Sequence, residues 1–196
     1  MIDLRRNYPC TAASDVRIKI IGLGGAGSNA LDRLVLDGVS GAELIAINTD
    51  VQALTSSVAT EKLQIGANST RGLGAGGDPE IGYAAAEESL DTIRGAVDGA
   101  KLVFLCVGLG GGTGSGAARL VGLVAREQGA LVFSFVTMPF TFEGRRRTAQ
   151  AEEALAALQS VSDVVICFDN DRMSDAVSPR AGIQEAFAAA DRTISE

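Results

Sequence analysis

Residues 108–116 read Gly-Leu-Gly-Gly-Gly-Thr-Gly-Ser-Gly, six glycines in nine positions. A turn needs one or two glycines, and each further one costs roughly 0.5–1 kcal/mol of backbone entropy in an ordered element. A backbone this bare presents closely spaced N–H donors with no side chain in front of them. That is the chemistry of an anion cradle, reinforced where the loop runs into a helix N-terminus. Two further stretches carry the same signal. Gly22-Leu23-Gly24-Gly25-Ala26-Gly27 matches G-x-G-x-x-G. With Asp50 in the place of a ribose-binding acid, it supports a dinucleotide crevice when taken alone. The second, Arg71-Gly72-Leu73-Gly74-Ala75-Gly76-Gly77-Asp78-Pro79, ends in a pair suited to a helix N-cap followed by proline at the first helical position. Capping accounts for Asp78 and Pro79 but not for the four glycines before them. Asp50 is equally suited to capping a second helix. Three such loops exceed what one pyrophosphate requires and suit a triphosphate. No G-x-x-x-x-G-K-[ST] pattern occurs and no lysine lies in any of the loops. Charge neutralisation is therefore expected from backbone dipoles and a Mg²⁺ ion. Histidine is absent, which removes Ser-His and Cys-His nucleophile schemes and the commonest metal ligand.

The elements that must position these loops alternate short β-rich runs with longer alanine-rich stretches, the pattern of a parallel sheet with helices on both faces. Strands are expected near 16–21, 42–47, weakly 62–65, 101–107, 130–137 and 163–168. Helices are expected near 26–38, 79–97, 114–128, 144–160, 171–176 and 180–195, the last with Ile183, Phe187, Ala190 and Ile194 on one stripe. The glycine loops then fall at the carboxyl edge of the sheet, where open α/β sheets bind ligands. Residues 1–15 are expected to be a flexible tail and 16–196 one domain.

Composition narrows the function classes. The chain has 196 residues, 46% of them hydrophobic, and a net charge of −7, consistent with one core and contrary to a nucleic-acid surface. No run approaches the roughly 18 apolar residues of a membrane span, and MIDLRRNYPC lacks a signal-peptide core. Cys10, Cys106 and Cys167 are odd in number and far apart. They are expected to be reduced, with Cys106 and Cys167 in the core, in a cytoplasmic protein without a metal framework.

Gly108–Gly116 resembles the tubulin signature loop GGGTG[ST]G, and its surroundings are similar to the cell-division GTPase FtsZ. The likeness spans GLGGAGSN, NTD at 48–50, GLGAGGDPEIG at 72–82, PFTFEGRRR at 139–147, NDR at 170–172 and EAFAAADRT at 185–193. The resemblance implies a Rossmann-like GTP-binding domain of the tubulin/FtsZ superfamily. It assigns the phosphates to the backbones of Gly24, Gly25 and Ala26, of Ala75, Gly76 and Gly77, and of Gly110, Gly111, Gly112, Thr113 and Gly114, with hydroxyls from Thr113 and Ser115. Glu143 and Arg147 match positions near ribose and base. Asn29, Asn170 and Asp191 match guanine-recognising positions, with Phe187 beside Asp191. A carboxylate there would accept from guanine N1–H and the exocyclic amine together, which adenine cannot offer. From the residues alone, Asn29 is equally a solvated polar residue, Arg145 and Arg146 belong to an exposed helix face, and Phe140 and Phe142 read as core.

Two departures from the family pattern are minor: Asp169 replaces a usual proline and Met138 a common basic residue. The resemblance also places Glu196 within the family's central helix, ahead of the loop whose acidic residues act on the neighbouring subunit's nucleotide and ahead of a second domain. No catalytic residue is identified. GTP or GDP binding is expected, with hydrolysis slow alone or dependent on a partner subunit, either a copy of this chain or a full-length homologue. Two other readings stay open. A nucleotide-binding filament cap or regulator would keep the same site, and a nicotinamide-dependent oxidoreductase would use the first loop and leave the others idle.

Overall fold

The computed structural model describes residues 16–174. The chain order is β1 (Ile18–Leu23), α1 (Gly24–Leu36), β2 (Ala42–Asn48), α2 (Val51–Ser56), β3 (Glu61–Gln64), α3 (Pro79–Glu88), α4 (Leu90–Val97) and β4 (Leu102–Gly108), followed by α5 (Gly112–Glu127), β5 (Leu131–Met138), a 3₁₀ turn (Thr141–Glu143), α6 (Arg145–Gln159), β6 (Val164–Asp169) and α7 (Asn170–Ser174). All six strands pair in parallel, in the order β3-β2-β1-β4-β5-β6. Every expected strand is present within two residues of its expected bounds.

The apolar runs of the central strands are buried on both faces, as parallel sheets require. Ile21, Leu23, Ile45, Ile47, Val103, Leu105 and Val107 face a large cluster with Ala85, Ile93, Val121, Ala151 and Leu158 from α3, α4, α5 and α6. On the opposite face, Leu44 and Ala46 pack with Leu31 of α1 and Leu54 of α2. Asp50 caps α2 by accepting from the N–H groups of Gln52 at 2.8 Å and Ala53 at 3.2 Å, and Asp78 caps α3 by accepting from Glu80 N–H at 2.9 Å, with Pro79 at the first helical position.

Three expectations need correction. The single helix over 79–97 is two helices meeting at Ser89, whose hydroxyl oxygen accepts from Gly66 N–H at 2.9 Å instead of continuing a helical surface. Helix α2, anticipated only through Asp50 as a cap, has no bounds among the expected helices, because its six residues are too short for a periodic signal. Cys167 is exposed, because β6 is an edge strand of the sheet. Cys106 does lie in the core, and desolvation pushes its thiol up to about 12. Thiolate is the reactive form, so alkylation of the native protein should label Cys167 well before Cys106. Peptide mapping by mass spectrometry checks this, and equal labelling would contradict the packing of β4. The expected helix over 180–195 and the tail over 1–15 lie outside the described residues.

Candidate functional site

The strand order reverses direction between β1 and β4, and the crevice outside their carboxyl ends is where an open α/β sheet takes ligands. A cavity of about 290 Å³ opens there, lined by Leu23, Gly24, Gly25 and Ala26 from the first glycine loop and by Gly108, Leu109, Gly111, Gly112, Thr113 and Gly114 from the third. Thr137, Met138 and Pro139 at the end of β5, with Glu143, Arg147 and Asn170, complete the wall. Ten of the residues singled out in the sequence are thus brought together. Thr137 and Leu109 were missed. Thr137 could have been found from register, since it pairs with Gly108 at the same sheet edge.

The electrostatics of the cavity come from backbone. Helices α1 and α5 both begin at it, with Leu23 and Gly111 at their N-caps, and neither has a side-chain cap or an acidic residue in its first turn. Helices α2 and α3, which start outside the cavity wall, are both capped by aspartate. The first-turn N–H groups of an uncapped helix need partners, and the helix end carries partial positive charge. Two such ends converge here, since a Cβ placed on Gly24 would sit 3.0 Å from Gly114 N. An anion is the ligand this arrangement fits.

The glycines divide by the reason for them. Gly24 and Gly110 have φ of +69° and +86°, conformations that favour glycine. Gly112 does not have positive φ; it is needed because a Cβ would lie 2.8 Å from both Ala75 Cβ and Asp78 N. Gly25 and Gly111 have neither constraint, since a Cβ at either would meet nothing within 4 Å beyond its own chain neighbours and helix backbone, and neither φ is positive. Both line the cavity. The fold leaves these two glycines unexplained, and a close-approaching ligand explains them.

The second glycine loop does not line this cavity. Ala75 is buried beneath Gly112, and Gly76 and Gly77 take φ of +60° and +77° with open space around them. Ser115 is also held back from the cavity: its hydroxyl oxygen accepts from Gly110 N–H at 2.8 Å and so staples the loop. Asn29 is exposed on α1 and is not part of the described wall. Phe187 and Asp191 lie outside the described residues.

On the far wall, Glu143 accepts from Phe140 N–H at 2.8 Å and pairs with Arg147, one turn on. The pair orients the guanidinium beside the cavity. Phe140 is buried as expected, whereas Phe142 is 59% exposed and stacks on Phe140 with ring centroids 4.8 Å apart. Asn170 is buried, and its Oδ1 has no hydrogen-bond partner among the described residues. An unpaired buried amide oxygen carries a desolvation cost, which a ligand donor in the cavity would relieve.

A larger, more open depression of about 550 Å³ lies behind the third loop, between α3, α5 and α6. Its described wall carries Asp78, Glu80 and Glu153 against Arg119 as the one cation among the described residues, a balance unsuited to phosphate. Among the described residues, no group of three or more His, Cys, Asp or Glu side chains could hold a metal ion.

A model described as the Tubulin/FtsZ family, GTPase domain, matches residues 17–178. Among solved structures, an empty FtsZ dimer from M. jannaschii is 41% identical with a TM-score of 0.89, over 92% of this chain and 52% of that one. The GTPgS-bound protofilament of CetZ2 from Haloferax volcanii is 28% identical with a TM-score of 0.82, over 91% of this chain and 56% of that one. The GDP-bound CetZ1 monomer from the same organism is 26% identical with a TM-score of 0.82, over 91% and 58%. The chain spans about half the length of the structures it matches.

Proposed function

Because the chain belongs to the tubulin/FtsZ family and carries its GTPase domain, we propose that the cavity between α1 and α5 binds GTP and GDP, as part of an FtsZ- or CetZ-like cytoskeletal GTPase. The observation that carries this reading is the pair Gly25 and Gly111. They are glycines with ordinary φ and no neighbours, set at two uncapped helix ends around one crevice. The phosphates would take the first-turn N–H groups of α1 and α5 and the Thr113 hydroxyl. Ribose and base would extend along Glu143 and Arg147 toward Asn170. Asp191, Phe187 and Asn29 remain proposed base contacts on the strength of the motif alone. The nicotinamide reading is not favoured, since a dinucleotide site leaves the third loop without a role.

Mg²⁺ fits this site through the phosphates rather than through a protein cage. It keeps several waters and needs only one or two carboxylates beside phosphate oxygens, and Asp50 and Asp78 are both engaged as helix caps. When bound, the ion would neutralise triphosphate charge. Glu143, the only carboxylate among the described residues of the cavity wall, is tied to Arg147 and Phe140, so no described carboxylate of the wall is free to act as a base toward an attacking water. We therefore assign turnover to subunit contact, and expect phosphate release per molecule to rise with protein concentration.

Titration calorimetry with GTP, GDP, ATP and NAD tests the assignment. Guanine nucleotides should bind well above the other two. Asn170→Ala should weaken guanine binding by roughly 1–3 kcal/mol through loss of a buried hydrogen bond, with ATP binding little changed. Equal ATP and GTP affinity in the unaltered protein would remove the guanine assignment.

A further inference from the structure

We propose that Thr49, at the end of β2, is a positioning residue that fixes the hydroxyl rotor of Thr113 so that its single proton points at a bound phosphate; the inference rests on the nucleotide reading above. Thr49 is fully buried, with its Oγ1 2.6 Å from Thr113 Oγ1, and either hydroxyl can donate. Thr113 lines the cavity and Thr49 does not. A threonine hydroxyl has one proton and two acceptor sites. A phosphate oxygen only accepts, so with phosphate in the cavity Thr113 must spend its proton there. The short contact then survives in one sense only, with Thr49 donating to Thr113. Donation into a hydroxyl that itself donates to an anion strengthens the second bond. Thr49 thus acts on phosphate through Thr113 without touching it.

The backbone around Thr49 holds it for this task. Its N–H donates to Asn48 Oδ1 at 2.8 Å, and Asn48 Oδ1 also accepts from Asp50 N–H at 3.3 Å. Its carbonyl lies 3.3 Å from Thr70 Oγ1, as the weaker acceptor beside Gly66 O at 2.8 Å. The next residues are tied to the second glycine loop, since Val51 N–H donates to Gly72 O at 3.1 Å and Asp50 forms a bridge with Leu73. The segment 48–51 therefore links the second loop, which stands outside the cavity, to the third loop, which forms its wall.

The test is GDP binding by calorimetry to the wild type and to Thr49→Val, Thr49→Ser, Thr113→Val and the Thr49→Val/Thr113→Val double variant, each checked by melting. Valine keeps the shape and removes the hydroxyl. Thr49→Val should bind GDP about tenfold more weakly, the upper end of what one neutral hydrogen bond contributes. Thr49→Ser should stay within about twofold. In the Thr113→Val background, Thr49→Val should cause no further loss, a non-additivity that a merely structural role would not produce. If Thr49→Val does not fold, Thr49→Ala set against Thr49→Ser makes the same comparison. A wild type that binds no guanine nucleotide overturns both this inference and the reading it rests on. A wild type that binds, with Thr49→Val equal to it or additive with Thr113→Val, overturns the inference alone.

Discussion

Gly111→Val is expected to lose nucleotide binding, by at least about a hundredfold, in a protein that melts almost where the wild type does. The variant isolates the ligand because the fold places no demand on this glycine. Its φ is −92° and ψ is 172°, an extended N-cap conformation open to any residue, and a Cβ there meets nothing within 4 Å beyond its own chain neighbours. Replacing glycine by valine at an N-cap costs at most about 1 kcal/mol. The branched side chain would occupy the space into which the first-turn N–H groups of α5 point, so several charge-assisted hydrogen bonds would be lost together. Each is worth about 1.5–3 kcal/mol. Calorimetry and thermal melting on the same preparation decide the matter. Normal GDP affinity in a natively melting Gly111→Val protein would mean that the phosphates lie elsewhere.

The neighbouring Gly112 makes a poorer probe, which the sequence could not show. From the motif alone, a bulky residue there is expected to abolish nucleotide binding with the fold largely intact, by filling the space the phosphates need and by resisting any positive φ. The structure gives Gly112 an ordinary φ and sets Ala75 Cβ and Asp78 N where its side chain would go. Gly112→Val would therefore move the second loop and the start of α3 as well as the cavity wall. The motif marks both residues alike because sequence spacing records that a glycine is present, not which of three causes requires it.

The sheet was legible because five of its six strands carry short apolar runs, the charged β3 (EKLQ) being the weak one, and parallel pairing follows from the alternation of strands and helices. The location of the site was legible for the same reason, since loops after β1 and β4 must emerge at one edge. The role of the second loop was not. Residues 72–77 resemble the other two loops in composition, yet Ala75 packs under Gly112 and the loop is tied to the segment after β2 by Gly72 and Leu73. That placement depends on the backbone approach of α3 to α5, a long-range contact with no local signature. The exposure of Cys167 was hidden likewise: a strand reading VVICF looks central until pairing leaves it at an edge.

Gly82→Ala should destabilise the protein markedly, whereas Gly95→Ala should stabilise it, although both glycines sit inside helices. Alanine gains up to about 1 kcal/mol of helix propensity over glycine. At Gly95, on the exposed surface of α4, a Cβ meets nothing within 4 Å and that gain stands alone. At Gly82 the same methyl would drive into the carbonyl of Gly112 and lie 3.1 Å from Thr113 Cα. One turn along α5, a Cβ on Gly116 would collide with the carbonyl of Pro79. Helices α3 and α5 thus cross backbone to backbone along Gly82, Gly112 and Gly116, and neither partner is a flexible side chain that could swing away. Overpacking of a core costs about 1–3 kcal/mol even where side chains can adjust, so at Gly82 the steric term outweighs propensity. For a chain of this size, each kcal/mol shifts the melting temperature by about 2–4 °C. The two variants should therefore move melting in opposite directions. Gly82→Ala should also weaken GDP, because the residues it displaces, Gly112 and Thr113, form the cavity wall. A Gly82→Ala protein that melts higher, as Gly95→Ala should, would show that the two helices do not pack at this distance and that α3 does not hold the third loop in place.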